Sequence, residues 1–196
     1  MINLSSWNIR GLNQPHKQEE VRTLISSHKI TLCGLNETKV RSARSSTIAK
    51  SLLPGWKFLF NYSKHKVGRI WVAWEPSQVS ICLLSTTYQV IHTSVNILDS
   101  QQSFLASFVY GMNSDLERST LWAELSTFSQ SAHSQPWIVL GDFNSMRFPS
   151  EKVGGDISWD SAMESFNICC HATEIDDLKF TGHQLTWSNK NPNNPI

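Results

Sequence analysis

Five apolar segments rich in β-branched and aromatic residues follow one another through the middle of this chain: Lys57 to Tyr62, Ile70 to Trp74, Val79 to Leu84, Val90 to Leu98 and Phe104 to Tyr110. So many strand patterns in succession argue for a β-sandwich flanked by helices rather than a doubly wound sheet. Further strand patterns open the chain (Ile2 to Asn8), recur from Ile30 to Leu35, and return from Trp137 to Leu140. Helices are expected on either side. Gln14-Pro15 begins one whose Val21, Leu24 and Ile25 share a face, and Ile48 and Leu52 mark a shorter one stopped by Pro54-Gly55. Ser114 to Glu117 has the form of a capping box ahead of Leu121, Leu125 and Phe128, and a last helix from near Asp160 carries Met163, Phe166 and Cys170 inward. Phe180 to Trp187 reads as a hairpin with a Gly-containing turn.

A chain of 196 residues with 40% hydrophobic and 17% charged content is expected to form one domain, residues 1–196. No basic, apolar and small-residue leader opens it, and no apolar run is long enough to span a bilayer, so an intracellular protein without a membrane partner is expected. Cys33, Cys82, Cys169 and Cys170 form neither a CxxC pair nor a zinc-finger spacing with His, and read as reduced structural thiols. Net charge is only +1 but unevenly spread. Thr38 to Trp74 holds eight basic residues and no acidic one, whereas Glu75 onward holds five basic and thirteen acidic residues. That basic stretch suits a polyanion; a solvated face without a ligand is the alternative.

Three motifs place a polar side chain just after an apolar run: Trp7-Asn8-Ile9-Arg10-Gly11, Asn36-Glu37-Thr38-Lys39 and Gly141-Asp142-Phe143-Asn144. Carboxylates at strand ends, where the backbone opens to a ligand, can hold a hard cation. Asn8 and Asn144 supply neutral oxygens and amide donors that orient a phosphate and a water without adding negative charge. Hydrolysis of a phosphodiester is the chemistry such a set serves best.

With Trp7-Asn8, Glu37-Thr38-Lys39, Val109-Tyr110-Gly111 and Gly141-Asp142-Phe143-Asn144 in this order, the chain resembles the DNase I-like endonuclease/exonuclease/phosphatase superfamily over essentially its whole length. More narrowly, Gly68-Arg69-Ile70-Trp71-Val72, Glu117-Arg118 with Leu121-Trp122, Gly154-Gly155, and Phe180-Thr181-Gly182 with Thr186-Trp187-Ser188-Asn189 are similar to the endonuclease domain of plant non-LTR (LINE-type) retrotransposons. The resemblance implies an α+β fold, a four-layer α/β/β/α sandwich, here expected to lack its last strands. It implies a Mg²⁺- or Mn²⁺-dependent endonuclease that nicks DNA by in-line attack of water, with no small-molecule cofactor, and nuclear action follows from the DNA substrate. Glu37 matches the principal metal ligand and Asn8 completes its polar corner. Lys39 supports the metal carboxylate, and Tyr110 contacts the scissile phosphate. Asp142 orients or deprotonates the attacking water, with Asn144 its partner on the phosphate. Lys39, Arg41, Arg44, Arg69 and Trp187 are expected to meet nucleic acid, while Arg118 is expected on the exposed face of its helix without a catalytic role.

The structural alternatives are a turn cap for Asn8, an ordinary loop carboxylate for Glu37, ring packing for Tyr110 and a core aromatic for Trp187. The family's late Ser-Asp-His occurs nowhere in the sequence, and His183 lies in a turn. Asn191 to Ile196 is turn material after which another strand is expected, so the chain is expected to be a truncated frame or part of a longer polyprotein, otherwise a monomer. A phosphatase or RNA nuclease on the same scaffold, and a catalytically dead nucleic-acid-binding remnant, stay open.

Overall fold

The computed structural model describes residues 2–63, 69–154, 158–182 and 185. In chain order its elements are β1 (Leu4–Asn8), α1 (Pro15–His28), β2 (Leu32–Asn36), α2 (Ser42–Leu52), β3 (Lys57–Phe60), β4 (Ile70–Trp74), β5 (Val79–Thr86), β6 (Val90–Ile97), β7 (Ser103–Tyr110), α3 (Asp115–Ala132), β8 (Trp137–Asp142) and α4 (Ser161–Thr173). The strands form two four-stranded sheets, ordered β1-β2-β4-β3 and β5-β6-β7-β8. This is the α+β architecture that the strand-rich middle predicts. The chain divides into two compact units, Met1–Gly111 with Ala132–Asp142, and Met112–Ser131 with Phe143–Ile196.

The first unit holds both sheets. Every residue of β2 and β4 is buried, because each strand is covered on both faces and its near-continuous apolar sequence suits that position. Their side chains divide by alternation. Leu32, Ile70, Val72 and Trp74 meet Val79, Ile91, Val95, Ala106 and Phe108 of the second sheet. Cys33, Leu35, Trp71 and Ala73 meet Val21 and Ile25 of α1 and Ile48, Ala49 and Leu52 of α2. Each such Leu or Phe contributes about 1.5–3 kcal/mol by leaving water. At Gly34 the second sheet packs tightly against the backbone: a Cβ there would stand 2.6 Å from a Phe108 ring carbon, so a side chain would force that ring to shift.

Local chemistry sets the element ends. α1 starts at Pro15, whose missing N–H costs nothing in a first turn, and ends at Lys29 in the left-handed region (φ 48°). The Asn3 amide donates to the carbonyls of His28 and Lys29 at 2.9 and 3.2 Å, satisfying two groups the helix end leaves open. β3 stops at Phe60, short of the expected Tyr62, because the buried Asn61 turns its side-chain oxygen to accept from the Arg69 and Ile70 amides at 3.3 and 3.1 Å.

In the second unit, Asp160 caps α4 by accepting from the Met163 amide at 2.9 Å, and Met163, Phe166 and Cys170 are buried as their spacing predicts. Trp122, Phe143 and Phe166 stack, with centroids 4.7 Å apart for Trp122–Phe166 and 5.0 Å for Phe143–Phe166. Arg118 departs from expectation. It is buried, and its guanidinium donates to the Met112 and Asn113 carbonyls at 2.7 and 2.8 Å and to the Asp115 carboxylate. The planar fork meets three acceptors at the start of α3, which offsets the desolvation that helical spacing alone would have made prohibitive. The four cysteines are free, with Cys82 exposed and the other three buried. Of the expected hairpin, Phe180, Thr181, Gly182 and Leu185 are exposed, and the remainder, with Trp187 and His183, lies outside the described residues. Among the described residues no helix is long and apolar enough to cross a membrane.

Candidate functional site

Two rows of residues end the sheets of the first unit. Asn8 pairs with Asn36 across parallel β1 and β2, and Tyr110 pairs with Asp142 across parallel β7 and β8. At this end the Asn8 amide nitrogen donates to Glu37 Oε1 at 3.0 Å and to Asp142 Oδ2 at 2.7 Å. One neutral side chain therefore holds two carboxylates from different sheets. Glu37 Oε2 lies 3.1 Å from Lys39 Nζ, and the Tyr110 hydroxyl hydrogen-bonds the same carboxylate. The Arg69 guanidinium stands 5.3 Å from the centre of the Tyr110 ring, a cation–π geometry.

These contacts fix protonation. Burial alone would raise the Glu37 pKa, but hydrogen bonds from Asn8 and Lys39, the Lys39 charge and the Tyr110 hydroxyl outweigh it and hold the carboxyl below the ordinary glutamate value. Tyr110 moves the other way. Burial, followed by the negative charge of Glu37, pushes its phenol above the usual tyrosine value, with Arg69 opposing. The pair is thus an ionised carboxylate beside a neutral phenol at neutral pH.

The loops carrying these groups are tied to one another. The Ile9 amide donates to the Asn36 carbonyl at 3.1 Å, Leu12 to Thr38 at 2.8 Å, and the Asn13 side chain to the Lys39 carbonyl at 2.8 Å. Three non-glycine residues here adopt left-handed backbone: Arg10 (φ 54°), Glu37 (φ 51°) and Lys39 (φ 52°). Each costs about 1–2 kcal/mol, and such strain gathers where geometry is held for function. Thr38, between Glu37 and Lys39, and Val40, after them, are buried, which leaves the Lys39 side chain exposed and Glu37 half-buried. Gly141 (φ 151°) has no room for a side chain, because a Cβ would fall on the Val109 carbonyl.

The sequence pattern of the endonuclease/exonuclease/phosphatase family matches residues 5–195. The chain belongs to this family. Its members are hydrolytic nucleases and phosphatases that act on phosphate esters. The endonuclease domain of TRAS1, a telomere-specific non-LTR retrotransposon, superposes with a TM-score of 0.70 at 10% identity, over 97% of this chain and 78% of that one. A mannosyl-6-phosphatase of Bacteroides thetaiotaomicron gives 0.58 at 16% identity over 85% and 70% of the two chains. A Bacteroides thetaiotaomicron protein of the same family gives 0.58 at 14% identity, covering 73% of this chain. This chain spans 63% of the length of that protein. At such identities the likeness is one of fold. No curated protein matches by sequence.

Of the residues that the family motifs single out, the structure brings Asn8, Glu37, Lys39, Tyr110, Asp142 and Arg69 together in the first unit. Arg41 and Arg44 do not join them and stand exposed at the start of α2. Asn144 belongs to the second unit, in left-handed backbone (φ 47°). Sequence reasoning passed over Asn36, which is buried and whose amide donates to the Val109 carbonyl at 2.8 Å. A polar residue closing an otherwise apolar strand, directly before the motif carboxylate, was the available signal.

Proposed function

We propose that this chain is a divalent-metal-dependent phosphodiester hydrolase whose substrate is DNA, the nicking endonuclease domain of a retrotransposon-derived protein, with residues 1–196 forming one domain. The observation that carries the reading is Asn8. Its nitrogen is engaged with Glu37 and Asp142, while its Oδ1 is buried without a hydrogen-bond partner. An orphaned buried oxygen beside an ionised carboxylate is a set of hard donors that fits Mg²⁺ or Mn²⁺. Glu37 and Asn8 would hold the ion. When bound, it would neutralise charge on the phosphoryl oxygens and the leaving group.

The protein's own groups divide the remaining work. Asp142 accepts the proton of the attacking water and aims it, in a rotamer fixed by the Asn8 amide. Asn8 and Lys39 together favour the ionised form of Glu37 against its burial. Tyr110 presents a neutral hydroxyl at the same carboxylate as the phosphate contact. Lys39, Arg41, Arg44 and Arg69 supply positive charge for the backbone on either side. Trp187 is read as a further nucleic-acid contact. The similarity to the TRAS1 endonuclease domain supports DNA as substrate, while the mannosyl-6-phosphatase shows the same fold in a phosphatase. The rate expected of this chain is low, because Ser-Asp-His is absent from its sequence and a missing acid/base costs about 10²–10⁴.

Calorimetric titration with Mn²⁺ tests the corner. Weak binding by the wild type and its loss in Glu37→Gln are expected; equal heats for both would remove Glu37 as ligand. Incubation with supercoiled plasmid, RNA and a sugar phosphate then separates a DNA nuclease from an RNA nuclease or a phosphatase.

A further inference from the structure

We propose that Asn36 is a positioning residue that locks the ends of the two sheets together and thereby sets the separation of Glu37 and Tyr110. The idea rests on the phosphodiesterase reading for its functional meaning, though the lock itself is a matter of geometry.

Asn36 is the last residue of β2 and Val109 the penultimate residue of β7, 73 positions apart in sequence. The Asn36 Nδ2 donates to the Val109 carbonyl at 2.8 Å, in a buried setting. The residue that follows each partner is a member of the site. Glu37 follows Asn36, Tyr110 follows Val109, and the Tyr110 hydroxyl reaches the Glu37 carboxylate. A hydrogen bond one residue upstream on both strands therefore ties together the backbones that carry the two functional side chains. The Val109 carbonyl is confined from its other side as well, since a Cβ on Gly141 would fall on it. Gly141 pairs with Val109 in the ladder and immediately precedes Asp142, so a shift of this one carbonyl would displace Tyr110 and Asp142 together.

The Asn36 Oδ1 is buried with no partner. Leaving a polar atom so costs about 1–3 kcal/mol, which an apolar residue of similar size would avoid. The amide must keep its nitrogen toward Val109, because a carbonyl only accepts. A side chain retained at that cost for one cross-sheet bond, beside a strained Glu37 and a conformationally restricted Gly141, is placed for geometry rather than for core stability.

The test uses the full chain labelled with ¹³Cζ-tyrosine, which gives three lines because it holds three tyrosines, the Tyr110 line being identified with Tyr110→Phe. In Asn36→Leu the Tyr110 line is expected to move toward the position of a solvated phenol and broaden, while Tyr62 and Tyr88 stay in place. Asn36→Gln, which keeps a donor, is expected to restore it in part. Thr93→Val removes a buried bond of the same kind, to the Ala106 carbonyl at 3.0 Å, and should move none of the three lines. In Mg²⁺ with plasmid, Asn36→Leu should lower kcat about 10²-fold at unchanged KM, the loss typical of a displacement near 1 Å. An unmoved Tyr110 line in folded Asn36→Leu overturns the proposal, as does a shift of equal size in Thr93→Val. Should Asn36→Leu not fold, a scalar coupling between Asn36 Nδ2 and the Val109 carbonyl carbon in the wild type decides the matter, and its absence overturns the lock. A wild type that neither binds Mn²⁺ nor nicks would count against the phosphodiesterase reading alone, with the Tyr110 line still deciding the role of Asn36.

Discussion

Asn8 Nδ2 stands 2.7 Å from Asp142 Oδ2, joining the end of β1 to the end of β8 across 134 residues of sequence. Because the same nitrogen also serves Glu37, neither carboxylate can turn away without stranding the amide. Asn8→Ala should therefore lower nicking by about 10²–10³-fold, comparable to removing one preorganised donor from a reaction site. Thermal unfolding should also shift downward, since two hydrogen bonds to charged groups are lost and each contributes about 1.5–3 kcal/mol. A plasmid assay alongside differential scanning calorimetry checks both.

The depressed Glu37 pKa has a pH signature. A carboxyl whose folded pKa lies below its unfolded value contributes stability that is present above the unfolded pKa, about 4.3, and is lost as pH falls through the folded one. Mn²⁺ binding, which needs the ionised form, should follow the folded value and persist below pH 4.3, the ordinary glutamate pKa. Lys39→Met removes both a hydrogen bond and a charge from Glu37, so the acid limb of binding should move to higher pH. Titrations of Mn²⁺ at several pH values compare the two proteins.

His92 is buried in β6 with its Nδ1 2.6 Å from Ser107 Oγ, and burial lowers its pKa to about 4. The folded state then binds fewer protons than the unfolded one between about pH 6.5 and 4, so stability declines as pH falls through that window and is fully present above it. Urea midpoints measured from pH 7 to 4 should fall, and the imidazole signal of His92 should stay neutral until the bottom of the range.

Much of the fold was legible in the residues. Ile70–Trp74 was readable as a strand, and the spacing of Met163, Phe166 and Cys170 after Asp160 as a helix with one buried face. The motif residues also marked the strand ends at which Glu37 and Asp142 lie. The pairings between distant segments were not legible. Nothing local says that Asn8 reaches Asp142, that Asn36 crosses to Val109, or that Arg69 lies over Tyr110, because these depend on sheet order and register. Arg118 differs for another reason: helical spacing gives a face, but only the path of the preceding loop, which brings the Met112 and Asn113 carbonyls onto the guanidinium, explains why that face buries an arginine.

Gly141→Ala should be among the most damaging small substitutions. The backbone there (φ 151°) is one that L-residues rarely adopt, and the added methyl would displace the Val109 carbonyl. A loss of about 2–4 kcal/mol is expected from strain and overpacking together, read from urea denaturation.

If Lys39, Arg41 and Arg44 meet the DNA backbone, replacing all three by Gln should weaken duplex binding and flatten its salt dependence. Each lost phosphate contact should reduce the slope of log K against log salt by about 0.9. Filter binding at several salt concentrations gives the slope, and no change would leave these exposed charges as a solvated face.

The most direct test of the site is a plasmid-relaxation time course with Mg²⁺ and with a chelator, for wild type, Glu37→Gln and Asp142→Ala. Slow nicking that needs Mg²⁺ and falls at least about 10²-fold in each variant is the expected result. Nicking that survives chelation, or proceeds equally fast in Asp142→Ala, would contradict the assignment of Asn8, Glu37 and Asp142 as the centre of a metal-dependent phosphodiesterase.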